Sequence, residues 1–472
     1  MNTRIETDLL VIGAGSGGLS VAAGAAQMGA RVVLVEAAEM GGDCLNTGCV
    51  PSKTLLAAAR AAQARRRGAP GLAPAAPDVD YAAVMDHVQA VIARIAPIDS
   101  QERFEALGVT VIRARARFLS PREVAAGDHV IAARRVVLAT GAVPVLPPLP
   151  GLDRVPYLTH ETLWSLRTRP AHLLILGGGP IGVEMAQAHA RLGASVTLVE
   201  ADRILPRDDP EAVALLRESL SAEGVKIIEG ARVTAVGGRA GAPVLDLEGG
   251  ARIAGSHLLI ATGRRPDITG LNLAAAGIET TETGIRTDAG LRSTNRRVYA
   301  IGDAAGGLQF THLAGYQAGI VLRSALFGLP ARARQDHIPR VTYCDPELAQ
   351  IGLTEAEARA RHGAAVEIAR FDYADNDRAL AEGRDRGFVK LMVRRGRPLG
   401  VTIVGHQAGE LAGIWSLALA GGLKLGRIAG MVSPYPSISE LNKRVAGAYF
   451  SPRLFENRTV KRVVGLVQRW IP

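Results

Sequence analysis

One glycine fingerprint, written twice, constrains this chain more than any other feature. The run "DLLVIGAGSGGLSVAAGAAQMGARVVLVEA" reads as an apolar strand, a glycine turn, an alanine-rich helix and a second apolar strand. Gly13, Gly15 and Gly18 lie in the turn, and Glu36 stands where the second strand ends. In a dinucleotide-binding unit the first glycine makes the tight turn and the second lets backbone approach a pyrophosphate. The third lets the helix pack closely, and the acidic residue accepts from a ribose hydroxyl. The unit returns as "HLLILGGGPIGVEMAQAHARLGASVTLVEA", with Gly177, Gly179, Gly182 and Glu200 at the matching places. Two such units imply two dinucleotides, and a flavin with a nicotinamide is the economical pair for electron transfer.

The rest of the 472 residues organises around those units. "RRVVLATGAVPVLPPLPGL" closes the first and "HLLIATGRRPDITG" the second, which predicts a flavin-binding part over 1–148 and a nicotinamide-binding part over 149–270. "LRSTNRRVYAIGDAAGG" then puts Asp303 after a strand and a glycine, where a carboxylate suits sugar hydroxyls; residues 271–337 read as the second, central part of the flavin domain. From 338 to 472, strands such as "GFVKLMV" and "LGVTIVG" alternate with helices and carry no nucleotide motif, as expected of an α+β interface domain. The fold class is therefore α/β, with two Rossmann-like domains and a C-terminal α+β domain. The longest apolar stretches fall short of the roughly 18 residues that span a bilayer. With no signal peptide read at the N-terminus, a cytoplasmic protein is expected.

A formal charge of +10 raises the question of nucleic acid, but aromatic residues make up 4% and no nucleic-acid motif occurs, so no such partner is expected. Much of the excess sits in residues 441–472, where seven Lys/Arg face Glu456 alone. There, in "TVKRVVGLVQRWI", Val460, Val463, Val464, Val467 and Ile471 share one helical face. Packing against the chain's own body or a dimer mate is the expectation for that face, with peripheral membrane contact the alternative.

"GGDCLNTGCV" follows the first unit and holds two of the three cysteines, Cys44 and Cys49. Zinc would want four ligands, and only Cys344 and His87 offer themselves elsewhere, so no metal is expected. A structural disulfide is unusual in a reducing compartment. A redox pair suits the place: Gly41, Gly42 and Gly48 let the loop approach a flavin, and a thiol at the start of the helix through "PSKTLLAAARAA" has its thiolate favoured. Cys344, in "VTYCDPE", reads as a buried thiol on a strand.

These motifs, in this order, resemble the flavin-dependent pyridine nucleotide-disulfide oxidoreductases: "GAGSGG", "GGDCLNTGCVPSK", "LATG", "GGGPIGVEMA", "ATGRRPD", "YAIGDAAGG" and "DPELAQIGLTE". The group includes dihydrolipoamide dehydrogenase, glutathione reductase and mercuric reductase. The resemblance implies FAD held through Gly13, Gly15, Gly18, Glu36, Lys53, Gly141 and Asp303. It implies a nicotinamide held through Gly177, Gly179, Gly182, Glu200 and Gly263, with NADH favoured by the acidic Glu200 and NADPH left open by Arg203 and Arg207. It further implies that Cys49 is the thiol against the flavin, that Cys44 attacks the substrate, that Lys53 pairs with Glu184 beside the flavin, and that the enzyme is a homodimer.

The chain departs from the group near its end. Disulfide reductases carry His-Pro-Thr with a glutamate five residues after the histidine; here "SPYPSISELNKRVAG" offers Tyr435 and Glu440. A tyrosine, with an ordinary pKa near 10, is a poor general base at neutral pH. Mercuric reductases are similar in having tyrosine there, yet their vicinal C-terminal cysteines and cysteine-bearing N-terminal extension are not found. The expectation is transfer of electrons from NAD(P)H through FAD and Cys44–Cys49 to a small disulfide or soft metal ion. A dihydrolipoamide dehydrogenase of an oxo-acid dehydrogenase complex and a non-enzymatic flavin sensor are the alternatives.

Overall fold

The structure, a computed structural model, describes residues 3–471. It divides into two compact units: residues 1–203 with 225–334, and residues 204–224 with 335–472.

The first unit is built on parallel strands whose apolar runs are buried from both sides, the pattern of sheets covered by helices on each face. Its larger sheet centres on β1 (Thr3–Ile12), flanked by β2 (Val32–Glu36), which is buried at every residue, and by the strand His129–Leu138. Leu10 pairs with Val33 on one side and Val136 on the other. The strand Val298–Ala300 joins the same sheet through His129–Leu138 and delivers the chain to Asp303. Between β1 and β2 runs α1 (Ser16–Gln27); after β2 come the short α2 (Gly42–Asn46) and the long α3 (Cys49–Arg67).

A second, four-stranded parallel sheet repeats the arrangement with β3 (His172–Leu176), α4 (Pro180–Arg191) and β4 (Ser195–Val199), completed by Val225–Ile228 and His257–Ile260. The segments that leave the two sheets meet: Ala142–Pro144 and Arg264–Pro266 pair antiparallel. Last in this unit is α5 (Thr311–Phe327), whose residue Gln317 accepts a hydrogen bond from Gly302 N at 2.7 Å.

The second unit holds a five-stranded antiparallel sheet in which Phe388–Arg394 and Arg397–Gly405 are neighbours. Its core gathers Val401 and Ile403 with Leu411 and Trp415 from one helix and Leu441 and Val445 from α6 (Glu440–Phe455). Trp415 Nε1 donates to Asn442 Oδ1 at 2.6 Å, so the buried indole is satisfied. Cys344 is buried as expected but lies in the bend between Arg340–Thr342 and Glu347–Gly352, not on a strand. Pro346, which has no N–H to give a ladder, ends that bend. The chain closes with α7 (Arg458–Trp470), which buries none of its residues; the expected packing on the chain's own body is not found.

Candidate active site

The two glycine turns are wired alike. Gly13 has φ +104°, and a Cβ there would stand 2.3 Å from Ala139 O; one at Gly18 would stand 1.8 Å from Gly13 O. In the second unit Gly177 has φ +112° with Ala261 O at 2.4 Å, and Gly182 meets Gly177 O at 1.9 Å. No side chain fits at these four positions, so strand, turn and helix close directly on one another. The acidic residues also correspond. Glu36 accepts from Ala14 N and, at 2.7 Å, from Ala38 N; Glu200 accepts from Gly178 N at 2.6 Å and Asp202 N at 3.1 Å. Each carboxylate thus lies across a turn whose backbone is bare and whose helix N-terminus favours an anion, a donor set that fits a dinucleotide.

The redox loop is stitched to the first of these turns. Gly41 forms a β-bridge with Gly15 and donates its N–H to Ala14 O at 2.9 Å. A Cβ on Gly42, at φ +61°, would meet the Cα of Gly15 at 2.7 Å. The loop glycines therefore serve a backbone-to-backbone approach. This stitch holds α2, carrying Cys44, and α3, which starts at Cys49, beside the dinucleotide turn.

Both cysteines are free thiols, and they are unequal. A hydrogen bond from Cys44 lowers the Cys49 pKa to about 6 against the cost of burial, helped by Thr311 and the charge of Lys53. Thr311 Oγ1 lies 3.4 Å from Cys49 Sγ at the start of α5. Cys44 moves the opposite way, raised by that same hydrogen bond, by burial and by the neighbouring negative charge. The pair is thus set up as thiolate and thiol. Lys53, one turn into α3, donates to Glu184 of α4 at 2.8 Å; the glutamate is buried and the lysine partly exposed. Here the two sequence-predicted partners are brought together.

Sequence reasoning missed the charged cluster between the loop and Asp303. Arg264 reaches Asp43 at 2.6 Å and Asp303 at 3.1 Å, joining the residue beside Cys44 to the expected sugar-binding carboxylate. Asp43 also accepts from Thr47 Oγ1 at 2.6 Å and lies 3.4 Å from His160 Nε2. Burial would push its carboxyl up, but His160 and Arg264 hold it at about 2. Asp303 is raised by burial despite Arg264. Gly141 and Gly263, at φ +71° and +133°, flank the strand pair that carries Arg264.

Cys44 lines a cavity of about 410 Å³ whose wall includes Leu45, Ile95, Asp99, Arg103 and Thr311. Cys49 is not in that lining, although it is the more exposed of the two thiols. Tyr435 and Glu440 belong to the second unit, and the structure does not join them to each other. The exposed Tyr435 hydroxyl donates to Asp377 Oδ2 at 2.7 Å, which raises its pKa further, while Glu440 pairs with Arg444 at 3.0 Å.

Residues 7–318 match the family described as pyridine nucleotide-disulphide oxidoreductase, and residues 338–446 match its dimerisation domain. A mercuric reductase of Streptomyces lividans is 35% identical over 459 residues, covering 94% of this chain and 96% of that one. A dihydrolipoyl dehydrogenase of Bacillus subtilis (strain 168) is 32% identical over 445 residues, covering 92% and 96%. Among solved structures, the HOCl-induced flavoprotein disulfide reductase RclA from Escherichia coli is similar with a TM-score of 0.84 at 29% identity, covering 93% of this chain and 99% of that one. Another structure of RclA is a Cu(II) complex. No helix among the described residues is long and apolar enough to cross a membrane.

Proposed function

The chain belongs to the pyridine nucleotide-disulphide oxidoreductase family, flavoprotein enzymes that use FAD and a pyridine nucleotide, and from that premise we propose that it reduces a small disulfide or a soft metal ion through Cys44 and Cys49. The observation that carries this reading is the inequality of the two thiols, joined by one hydrogen bond, with Cys44 in the wall of a cavity and Cys49 beside Thr311. Bound FAD would supply two-electron chemistry between the nicotinamide and the Cys44–Cys49 disulfide.

The protein's own groups do the rest. Gly13, Gly15 and Gly18 cradle the flavin dinucleotide, Glu36 and Asp303 take its sugar hydroxyls, and Gly141 lines its side of the strand pair. Gly177, Gly179, Gly182 and Gly263 do the same for the nicotinamide. Glu200 accepts from a free 2′-hydroxyl and repels a 2′-phosphate, which favours NADH over NADPH. Lys53, oriented by Glu184, holds positive charge beside the Cys49 thiolate. Reduction of the disulfide takes up two electrons and two protons and leaves Cys49 as thiolate and Cys44 as thiol once one proton is released. With a disulfide substrate, Cys44 deprotonates and its sulfur attacks, expelling one substrate thiol. Cys49 then attacks Cys44, releasing the second thiol and restoring the Cys44–Cys49 bond. With a metal ion, Cys44 releases its proton, both sulfurs bind the ion, and the electron pair that reduces it leaves the dithiolate as the Cys44–Cys49 bond re-forms.

Dihydrolipoamide oxidation is disfavoured because Tyr435 stands where an imidazole proton carrier is needed, and its hydroxyl is engaged by Asp377. The enzyme acts as a homodimer through the region matching the dimerisation domain, and working thiols suit a cytoplasmic setting. The test is a turnover screen of NADH and NADPH against lipoamide, oxidised glutathione, mercuric and cupric ions, and quinones. A metal ion or a small disulfide should be the best acceptor, with Cys44→Ser inactive. A best acceptor whose reduction survives Cys44→Ser would overturn the reading.

A further inference from the structure

Helix α7 begins beyond residue 446, where the dimerisation-domain match ends. It is a well-made helix: Asn457 caps it, accepting from Thr459 N at 2.9 Å and Val460 N at 3.3 Å. Yet an isolated helix of this length is marginal in water, and this one has no buried residue to steady it. Its two faces are sharply divided. At about 100° per residue, Val460, Val463, Val464 and Val467 form one side, flanked by Leu466 and Trp470, and the exposed Ile471 follows the last turn. Arg458, Lys461, Arg462 and Arg469 form the other with Gln468, and the helix has no acidic residue. Just before it, Leu454 and Phe455 are also exposed.

We propose that α7 is an interfacial anchor that lies on an anionic phospholipid surface, with its valines and Trp470 among the upper acyl chains and its four cations at the level of the phosphates. The charge pattern selects this occupant. A second copy of the helix would bring four like charges to the rim of the contact and no acid to answer them. A helix about 20 Å long also offers far less than the roughly 800 Å² per partner of a stable protein interface. Anionic headgroups answer every cation, an apolar face of this width is what the headgroup–acyl boundary accepts, and a tryptophan is at home at that depth.

The experiment uses the full-length, flavin-loaded protein and sedimentation with vesicles of phosphatidylcholine, with and without phosphatidylglycerol. Binding should need the anionic lipid and weaken in high salt. Arg458→Gln with Arg462→Gln should weaken it about fivefold per residue, and Val463→Ser with Val467→Ser should abolish it without changing charge. Of the three tryptophans, Trp164 and Trp415 are buried and Trp470 is 77% exposed. A blue shift of emission on binding should therefore vanish in Trp470→Phe. Turnover without vesicles should be unchanged in all these variants. Equal binding to pure phosphatidylcholine, no binding, or binding that survives removal of residues 457–472 would each overturn the proposal. So would a fall in oligomeric state on that removal without loss of vesicle binding, since the helix would then be a contact between copies.

Discussion

Replacing Cys44 by alanine and by serine isolates what makes Cys49 a thiolate. The hydrogen bond from Cys44 is the largest influence lowering the Cys49 pKa, ahead of Thr311 and Lys53. A hydrogen bond to a charged group is worth roughly 1.5–3 kcal/mol, and one pKa unit corresponds to about 1.4 kcal/mol. Removing the donor in Cys44→Ala should raise Cys49 by about one to two units, from about 6 towards 7–8. Cys44→Ser keeps a donor of similar reach and should stay within about half a unit of the starting value. The sign for reactivity follows: the thiolate fraction is high above the pKa and lost as pH falls through it, so at pH 7 the alanine variant should react about two- to tenfold more slowly than the serine variant. Two assays report it, the long-wavelength absorbance of a thiolate against oxidised flavin and the pH profile of iodoacetamide alkylation. Both variants should show that absorbance without added reductant, and Cys49→Ser should show none. Coincident titrations of the alanine and serine variants would refute the hydrogen bond as the cause.

Glu200→Ala should narrow the preference for NADH by about tenfold, through one lost hydrogen bond and one lost repulsion; an unaltered ratio of NADH to NADPH efficiencies would remove Glu200 from the cofactor site. Tyr435→His should raise lipoamide or glutathione-disulfide reduction by at least about tenfold, since general acid–base catalysis typically contributes about 100-fold or more. NADH-driven flavin reduction should not change, and identity of Tyr435→His and Tyr435→Phe with the parent for every acceptor would place Tyr435 outside the chemistry. Arg264→Gln should leave Asp43 and the half-buried Asp303 without their shared cation and lower stability by about 1–3 kcal/mol, read as earlier flavin release in a thermal ramp. Arg264→Lys should recover much of it, because a single nitrogen, Nη2, meets both carboxylates and an ammonium can do the same.

What could be read in the sequence was whatever is local. The two fingerprints declare their strand, turn and helix by spacing alone, and the structure repeats even the backbone bonds of Glu36 and Glu200. Lys53 and Glu184 meet as expected although they lie far apart in the chain. Arg264 and Thr311 escaped because their partners are remote and, unlike the Lys53–Glu184 pair, the family resemblance did not supply them. Arg264 stands inside the quoted "ATGRRPD", and only the pairing of Arg264–Pro266 with Ala142–Pro144 reveals where it points. The helix Pro210–Ala222 groups with residues from 335 onward, although its sequence runs on from the second dinucleotide unit without a break. The strand expected at Cys344 failed because residues 343–346 turn between the antiparallel strands Arg340–Thr342 and Glu347–Gly352, and an apolar run does not show where such a turn falls.

The bridge between Gly15 and Gly41, with Gly42 pressed on the Cα of Gly15, has a practical consequence for protein engineering. The cysteine segment is not a cassette. Transplanting "GGDCLNTGCV" into another scaffold would carry its chemistry only if the recipient's phosphate-binding turn came with it, because each backbone is the other's mould. For the same reason, random libraries that vary residues 41 and 42 should lose flavin and disulfide function in the same clones.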